Sequence, residues 1–189
     1  AAAQVDLAYM YGVGQGVPRD DAAAMRWLRL AADQGHVRSQ ANIAAMARAQ
    51  YSLALLYVNG QGVPQDAAEA VRWLRLAAQH GIAEAQGDLG YMYLNGQGVP
   101  QDDTEAVRWI RLAAEQGYAG AQGHLGLMYR DGRGVLQDAA EAARWYQLAA
   151  DQAEAHAQYQ LGFMYMEGRG VQQDDGIAHM WFNLGASRL

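Results

Sequence analysis

Apolar residues recur along the chain in two alternating helical patterns. The stretch AEAQGDLGYMYLNG carries apolar side chains at i, i+4, i+7 and i+8, which is one face of a helix that we name helix A. The stretch that follows predicts a helix B, whose opposite, solvated side carries Arg108, Arg111 and Glu115. The predicted buried residues are Ala85, Leu89, Met92 and Tyr93 in helix A, and Ala106, Trp109, Ile110, Ala113 and Ala114 in helix B.

Glycine and aspartate mark the boundaries of these helices. Gly96 stands where helix A needs a left-handed C-terminal cap, and Gly98 is predicted to supply a second positive φ. Asp102 is placed to cap the N-terminus of helix B, and Glu105 follows it at the spacing of a capping box. Gly117 ends helix B. The unit is an α-hairpin that can bury its apolar face only against neighbouring copies.

The unit is repeated along the chain. A Gly-x-Gly-Val box and a tryptophan each recur five times, in steps of 46, 36, 36 and 36 residues. A fixed period in this range is typical of a solenoid, so we predict an all-α array. The boxes begin at Gly14, Gly60, Gly96, Gly132 and Gly168, and the tryptophans are Trp27, Trp73, Trp109, Trp145 and Trp181.

The segments AEAQGDLGYMY, GQGVPQD, AVRW and AAEQG resemble the Sel-one-like repeat (SLR) family, relatives of the tetratricopeptide repeats. The resemblance covers nearly the whole chain. It implies a right-handed α/α superhelix of about five 36-residue repeats with helix A on the concave side, and a scaffold or adaptor that binds other proteins without shared chemistry. It also implies, for bacterial members, frequent export or an envelope location. The expected domain is a single solenoid over residues 1–189, with repeats near 1–35, 36–81, 82–117, 118–153 and 154–189.

The first step of 46 residues breaks the period, because two helix-A signatures stand back to back around Met46 and Ala47. One interpretation is a continuous helix over Val37–Val58, about 33 Å long at ~1.5 Å per residue. A second is a deletion with a local rearrangement. A third is that a stretch which belongs between Met46 and Ala47 is absent from the sequence.

Composition removes several classes of chemistry. The net charge is −6 and all 14 basic residues are arginine, so we predict no nucleic-acid partner. The absence of lysine excludes Schiff-base and Walker chemistry, and the absence of cysteine excludes disulfides and thiolate nucleophiles, unlike SLR members with a disulfide in each repeat. No apolar run approaches the ~18 residues of a membrane span. The chain opens in mid-repeat, which leaves room for an upstream N-terminus and export signal.

No residue set predicts catalysis. There is no Gly-x-Ser-x-Gly elbow, and the glycine boxes follow a helix and lack the third glycine of a dinucleotide fingerprint. The histidines lack the His-x-x-x-His spacing of a zinc site. We predict no enzyme, metal or cofactor; the alternative is a cell-wall-peptide or β-lactam-related enzyme or ligand-binding protein. The histidines are His36, His80, His124, His156 and His179.

The predicted binding surface is the inner face of helix A. The residue two positions before the last tyrosine of each helix A is apolar or aromatic in every copy, which suits a protein or peptide partner. The alternative is that these side chains pack against the adjacent helix A. End-to-end self-association is also possible, because no polar capping helix follows WFNLGASRL. The predicted partner-binding residues are Tyr9, Tyr51, Leu55, Tyr91, Leu94, Leu127, Arg130, Tyr159 and Phe163.

Overall fold

The computed structural model describes residues 2–33 and 40–186, and α-helix is the only regular secondary structure in those two ranges. Odd-numbered helices are A helices and even-numbered helices are B helices, so the predicted alternation is confirmed. The A helices are α1 (Ala2–Val13), α3 (Gln40–Asn59), α5 (Ala83–Asn95), α7 (Ala119–Asp131) and α9 (Ala155–Glu167). The B helices are α2 (Asp21–Ala32), α4 (Ala67–Gln79), α6 (Asp103–Glu115), α8 (Ala139–Asp151) and α10 (Asp175–Ala186).

The helices form two compact units, which the sequence divides between Gln101 and Asp102. In unit 1, which contains α1 to α5, each helix packs against the next in sequence, and α1 also contacts α3. In unit 2, which contains α6 to α10, each helix again packs against the next. The single domain expected over residues 1–189 stays a prediction.

Aspartates cap the B helices as predicted. The Asp102 carboxylate accepts hydrogen bonds from the backbone N–H groups of Thr104 and Glu105, both at 3.0 Å. The second half of the capping box is absent here, because the Glu105 carboxylate instead accepts a hydrogen bond of 2.8 Å from Arg108 Nη2. The aspartate therefore caps the helix alone, and the glutamate joins an exposed helix-surface ion pair of small energy.

The two glycines of each box have different structural roles. Gly96, with φ of 65°, ends α5 in the left-handed conformation, as predicted. Gly98 also has a positive φ, of 70°, and a Cβ there would overlap the backbone of Ala67 at the start of α4. Gly134 approaches the backbone of Asp103 in the same way in unit 2. The second glycine of the box thus lets the loop touch the preceding B helix.

The predicted apolar stripes are buried except for Tyr93, which is half-buried. In α5, Ala85 and Leu89 are fully buried and Met92 is 6% exposed. In α6, all five predicted residues have 7% exposure or less. Ala-rich stripes let neighbouring helices approach closely, and the larger side chains fill the space between them. The core of unit 2 around Tyr146 and Leu161 is built in this way.

A buried glutamine in four of the five A helices, α3, α5, α7 and α9, has a structural role that was not predicted from the sequence. Gln86 Nε2 donates a hydrogen bond of 3.1 Å to the Ala78 carbonyl oxygen at the end of the preceding B helix. Gln122 repeats this bond to Ala114 at 3.2 Å. Such a bond satisfies one of the free carbonyls at a helix C-terminus and fixes how one repeat docks on the previous one. Equivalent bonds join Gln50 to Ala32 and Gln158 to Ala150.

The irregular repeat forms one continuous helix. α3 has 20 residues whereas α5 has 13, and it passes without a break through Met46 and Ala47. The extra residues lengthen its N-terminal end by about 10 Å at ~1.5 Å per residue. The first of the three interpretations is therefore the one that the structure has. Its predicted start at Val37 lies outside the described residues.

Candidate binding surface of the A helices

The predicted partner-binding residues differ in how much surface they offer. We refer to these residues, in each unit by itself, as the A-helix surface. Tyr9, Tyr91 and Tyr159 are 61%, 42% and 46% exposed. Leu94 is only 4% exposed, so its inclusion in the surface is wrong, because packing at the end of α5 covers it. The remaining predicted residues are half-buried and both pack and face outward: Tyr51, Leu55, Leu127, Arg130 and Phe163.

In unit 1 a hydrogen bond crosses from one A helix to the next. The Tyr51 hydroxyl donates to Asp88 Oδ2 at 3.0 Å, which joins α3 to α5. Burial raises the pKa of the Asp88 carboxyl above its ordinary value, and Glu84 raises it further, whereas the Tyr51 bond lowers it. This contact supports the alternative interpretation for Tyr51, which packs on its neighbouring A helix as well as lining the surface.

A cavity of about 250 Å³ opens beside Tyr9, between α1, α2 and α3. Its walls are mainly apolar, and Val5 and Leu56 are among them. We name it the first-junction cavity, because it lies where the first repeat meets the second. Its lining residues are Val5, Ala8, Tyr9, Gly12, Arg19, Ala24, Leu28, Ser52, Leu56 and Gln61.

In unit 2 the surface is aromatic. Tyr159, Phe163 and Phe182 meet edge to face, with ring centroids 5.0 to 5.2 Å apart. Such pairs are worth about 0.5–1.5 kcal/mol beyond the area that they bury. Sequence reasoning placed Tyr159 and Phe163 on the surface but missed Phe182, which comes from α10. The position after the tryptophan could have indicated it, since that position is apolar in every repeat.

Arg130 is held in place beside this aromatic group. Its guanidinium pairs with the Asp131 carboxylate at 2.7 Å, and its Nη1 donates to Gln160 Oε1 at 2.8 Å. A cavity of about 270 Å³ lies next to Arg130 and Phe163, with Glu167 also in its wall. The predicted surface of unit 2 therefore combines an aromatic patch with an anchored cation.

Two arginines of helix B bond to tyrosines of the next repeat. Arg75 Nη2 donates to the Tyr93 hydroxyl at 2.7 Å, and Arg111 Nη2 donates to the Tyr129 hydroxyl at 2.9 Å. Each bond joins a B helix to the A helix of the following repeat. Arg108 also lies over the Trp109 ring at 4.3 Å. Arg75 and Arg108 are exposed, as the predicted solvated face requires, and Arg111 is half-buried. The bonds to the tyrosines give Arg75 and Arg111 a further role in the stacking of repeats, which was not predicted.

A column of leucines on the B helices was also missed. Every repeat has leucine three residues after its tryptophan, and most of these side chains are exposed. Leu30 is 53% exposed, and Leu112 and Leu148 are each 39% exposed. In each unit these leucines lie on B helices and not on A helices, so they offer a matched comparison for binding experiments. Its members are Leu30, Leu76, Leu112, Leu148 and Leu184.

The clustering of metal-ligating side chains and the hydropathy of the helices bear on the predictions about metals and partners. Within residues 2–33 and 40–186, no group of three His, Asp or Glu side chains could hold a metal ion. Over the same ranges, no helix combines the length and the hydropathy needed to cross a bilayer.

Burial lowers the pKa of the His124 imidazole, against the opposing effect of Glu154. His36 lies outside the described residues.

A family model for the Sel1 repeat matches residues 1–36, 47–82, 83–118, 119–154 and 155–188. The chain belongs to the Sel1-repeat family. The residues between the first two matches, 37–46, are those that break the period. Sel1-repeat proteins are generally protein-interaction scaffolds. The predicted fold class, an all-α solenoid of five Sel1 repeats, is therefore confirmed.

Solved Sel1-repeat structures superpose closely on the chain. A protective antigen of uropathogenic Escherichia coli with an SLR fold is 42% identical, with a TM-score of 0.89 over 98% of this chain. This chain spans 38% of the length of that antigen. A Sel1 repeat protein from Oxalobacter formigenes is 34% identical, also with a TM-score of 0.89, over 99% of this chain and 70% of that one.

More distant structures share the fold alone. The immunity protein Pa5087 from Pseudomonas aeruginosa is 21% identical, with a TM-score of 0.59 over 98% of this chain and 67% of that one. Among functionally curated proteins, none matches the chain.

Proposed function

We propose that this Sel1-repeat chain is a non-enzymatic scaffold that binds a segment of another protein on the A-helix surface. The observation that carries the proposal is the exposure of Tyr9, Tyr91 and Tyr159, at 61%, 42% and 46%. Tyrosine is enriched at binding hot spots because it offers a large apolar area and a polar tip. The concave position that the family resemblance implies for helix A suits an extended or helical segment.

The charges favour a partner with basic groups. The chain has a net charge of −6, and opposite charges speed diffusional encounter. The anchored Arg130 adds a local positive point in unit 2, where a carboxylate of the partner would find a cation that is already oriented. Orientation in advance reduces the entropy lost on binding.

The test compares two surfaces of the same chain. One variant carries Tyr9→Ser, Tyr91→Ser and Tyr159→Ser, and the control carries Leu30→Ser and Leu112→Ser with Leu148→Ser on the B helices. Tyr159→Ser removes the edge-to-face contacts with Phe163 and Phe182, and should cost about 0.5–1.5 kcal/mol for each. The other five side chains are exposed, so each of their changes should alter the free energy of unfolding by no more than about 0.5 kcal/mol. Circular dichroism and thermal unfolding would verify that both variants keep the wild-type fold.

Proteins of the source organism would be captured on immobilised wild type and on both variants, then quantified by mass spectrometry. We expect the tyrosine variant to lose its specific partners, with affinity falling by at least about tenfold, and the leucine control to retain them. Loss in the leucine variant alone would move the binding site to the B helices. Equal capture by all three proteins would refute the assignment.

Two of the predicted partner properties remain predictions. The absence of a nucleic-acid partner rests on charge, and binding at low salt to duplex DNA would contradict it. End-to-end self-association would appear in light scattering as a mass that rises with protein concentration.

A further inference from the structure

The next junction of unit 1 has a tyrosine at the position that corresponds to Val5 in the wall of the first-junction cavity. The repeats align with offsets of 46 and 36 residues, so Val5 corresponds to Tyr51 and Ser52 corresponds to Asp88. At the second junction, Tyr51 spans from α3 to α5 and its hydroxyl donates to Asp88 at 3.0 Å. At the first junction, both of these positions line an open cavity instead.

The loss of side-chain volume accounts for the opening. Valine replaces a tyrosine at position 5, and Gly12 stands where the second repeat has Val58. A Cβ added to Gly12 would meet only the Ala24 Cβ, at 3.9 Å, which is ordinary van der Waals contact. The backbone of α1 thus leaves room for side chains that its own sequence does not supply.

The size of the cavity restricts its occupant. It measures about 250 Å³, whereas sites for small-molecule ligands have ~300–1,000 Å³. One side chain of a partner is the better match. The walls are mainly apolar, and the hydroxyl-bearing Ser52 lies at the position from which Asp88 binds the Tyr51 hydroxyl.

We propose that the first-junction cavity receives one tyrosine side chain of the bound segment, with its ring between Val5 and Leu56 and its hydroxyl bonded to Ser52. This inference rests on the proposed function, because the bound segment is the one held on the A-helix surface. Tyr9, which is 61% exposed, forms part of the rim and would pack on the incoming ring. The tyrosine of the partner would thus make at the first junction the kind of contact that Tyr51, a residue of this chain, makes with Asp88 at the second.

The direct test uses p-cresol, which is the tyrosine side chain alone, and follows backbone resonances of the whole chain by NMR. We expect saturable shifts at Ala8, Gly12 and Ser52. Val5→Tyr fills the cavity from within and should abolish saturation, and Gly12→Val should do so independently if Val5→Tyr fails to fold. Leu136→Tyr is the matched control, because Leu136 is 90% exposed and a tyrosine there adds a ring without filling the cavity.

The polar half of the proposal is tested with Ser52→Ala. We expect p-cresol affinity to fall roughly fivefold, the value of one hydrogen bond, and the affinity of toluene to stay unchanged. Absence of saturable p-cresol binding to the wild type would overturn the proposal. Binding that persists unchanged in both Val5→Tyr and Gly12→Val would overturn it too.

A second measurement separates this inference from the proposed function. The captured partner is titrated against wild type and Val5→Tyr. Loss of at least about tenfold in affinity is expected for a buried aromatic anchor. If Val5→Tyr binds the partner normally while the tyrosine-to-serine variant does not, the scaffold function stands and the cavity assignment falls.

Discussion

Ala153 is held in a conformation that suits glycine, and its replacement should stabilise the fold. It has φ of +66°, and among the described residues it is the one non-glycine with a positive φ. The corresponding residues of earlier repeats are Gly81 and Gly117, with φ of 84° and 89°. A left-handed conformation costs an L-residue about 1–2 kcal/mol. Glycine avoids that cost but loses about 0.4–1 kcal/mol through the greater freedom of the unfolded chain.

The balance for Ala153→Gly is a gain of about 0.5–1 kcal/mol in the free energy of unfolding. For a chain of this length that corresponds to a rise in Tm of about 1–4 °C. Thermal and urea unfolding of the whole chain would measure it. The matched control is Gly117→Ala, where a Cβ meets nothing within 4 Å, so that backbone conformation alone decides the outcome. We expect a loss of similar size there.

The reasoning would be refuted if Ala153→Gly lowered the Tm or if Gly117→Ala left it unchanged. The first result would mean that the turn before α9 gains more from the alanine methyl than it loses in strain. The second would mean that the left-handed turns of unit 2 are not retained in solution.

Three further substitutions test groups that burial affects. The raised pKa of Asp88 means that folding favours its neutral form, so the stability that it contributes is greatest below its ordinary pKa and is lost as pH rises through the folded value. Asp88→Asn keeps an acceptor for Tyr51 and should unfold at a higher urea concentration than wild type at pH 7. This difference should shrink as the pH falls towards 4. A difference that stays constant over that pH range would contradict the prediction. Burial raises the pKa of Tyr146 to about 12, and its hydroxyl has no hydrogen-bond partner among the described residues. Tyr146→Phe should therefore stabilise by about 1 kcal/mol, whereas Tyr129→Phe, which breaks the bond from Arg111, should destabilise by a similar amount; equal effects in denaturation would refute the distinction.

Much of the fold could be predicted because the same local sequence pattern recurs in every repeat. Helical spacing of apolar residues, aspartate at the start of helix B and glycine at the end of helix A each act through neighbours a few residues away. Asp102 and Gly96 therefore behave as expected. The continuous α3 was one of three open interpretations, because local pattern alone does not say whether two helix signatures join.

The binding surface was predicted less well, because exposure depends on tertiary neighbours. Leu94 has the same register as Arg130, yet the first is buried and the second is half-exposed. The bonds from Arg75 and Arg111 to tyrosines each span 18 residues, and only the fold brings those partners together. A comparison of equivalent positions across repeats would have indicated these arginine–tyrosine pairs, since in both cases the tyrosine follows the arginine by 18 residues.

The buried glutamine of helix A has a consequence for how such arrays tolerate change. Gln50 reaches the Ala32 carbonyl oxygen at 3.4 Å although 18 residues separate them, whereas Gln86 and Ala78 are separated by only 8. The ten additional residues before Gln50 include the N-terminal extension of α3, and the docking bond still forms. A connection between two repeats can therefore be lengthened, for example by an epitope or a labelling tag, while the docking bond that follows it is kept.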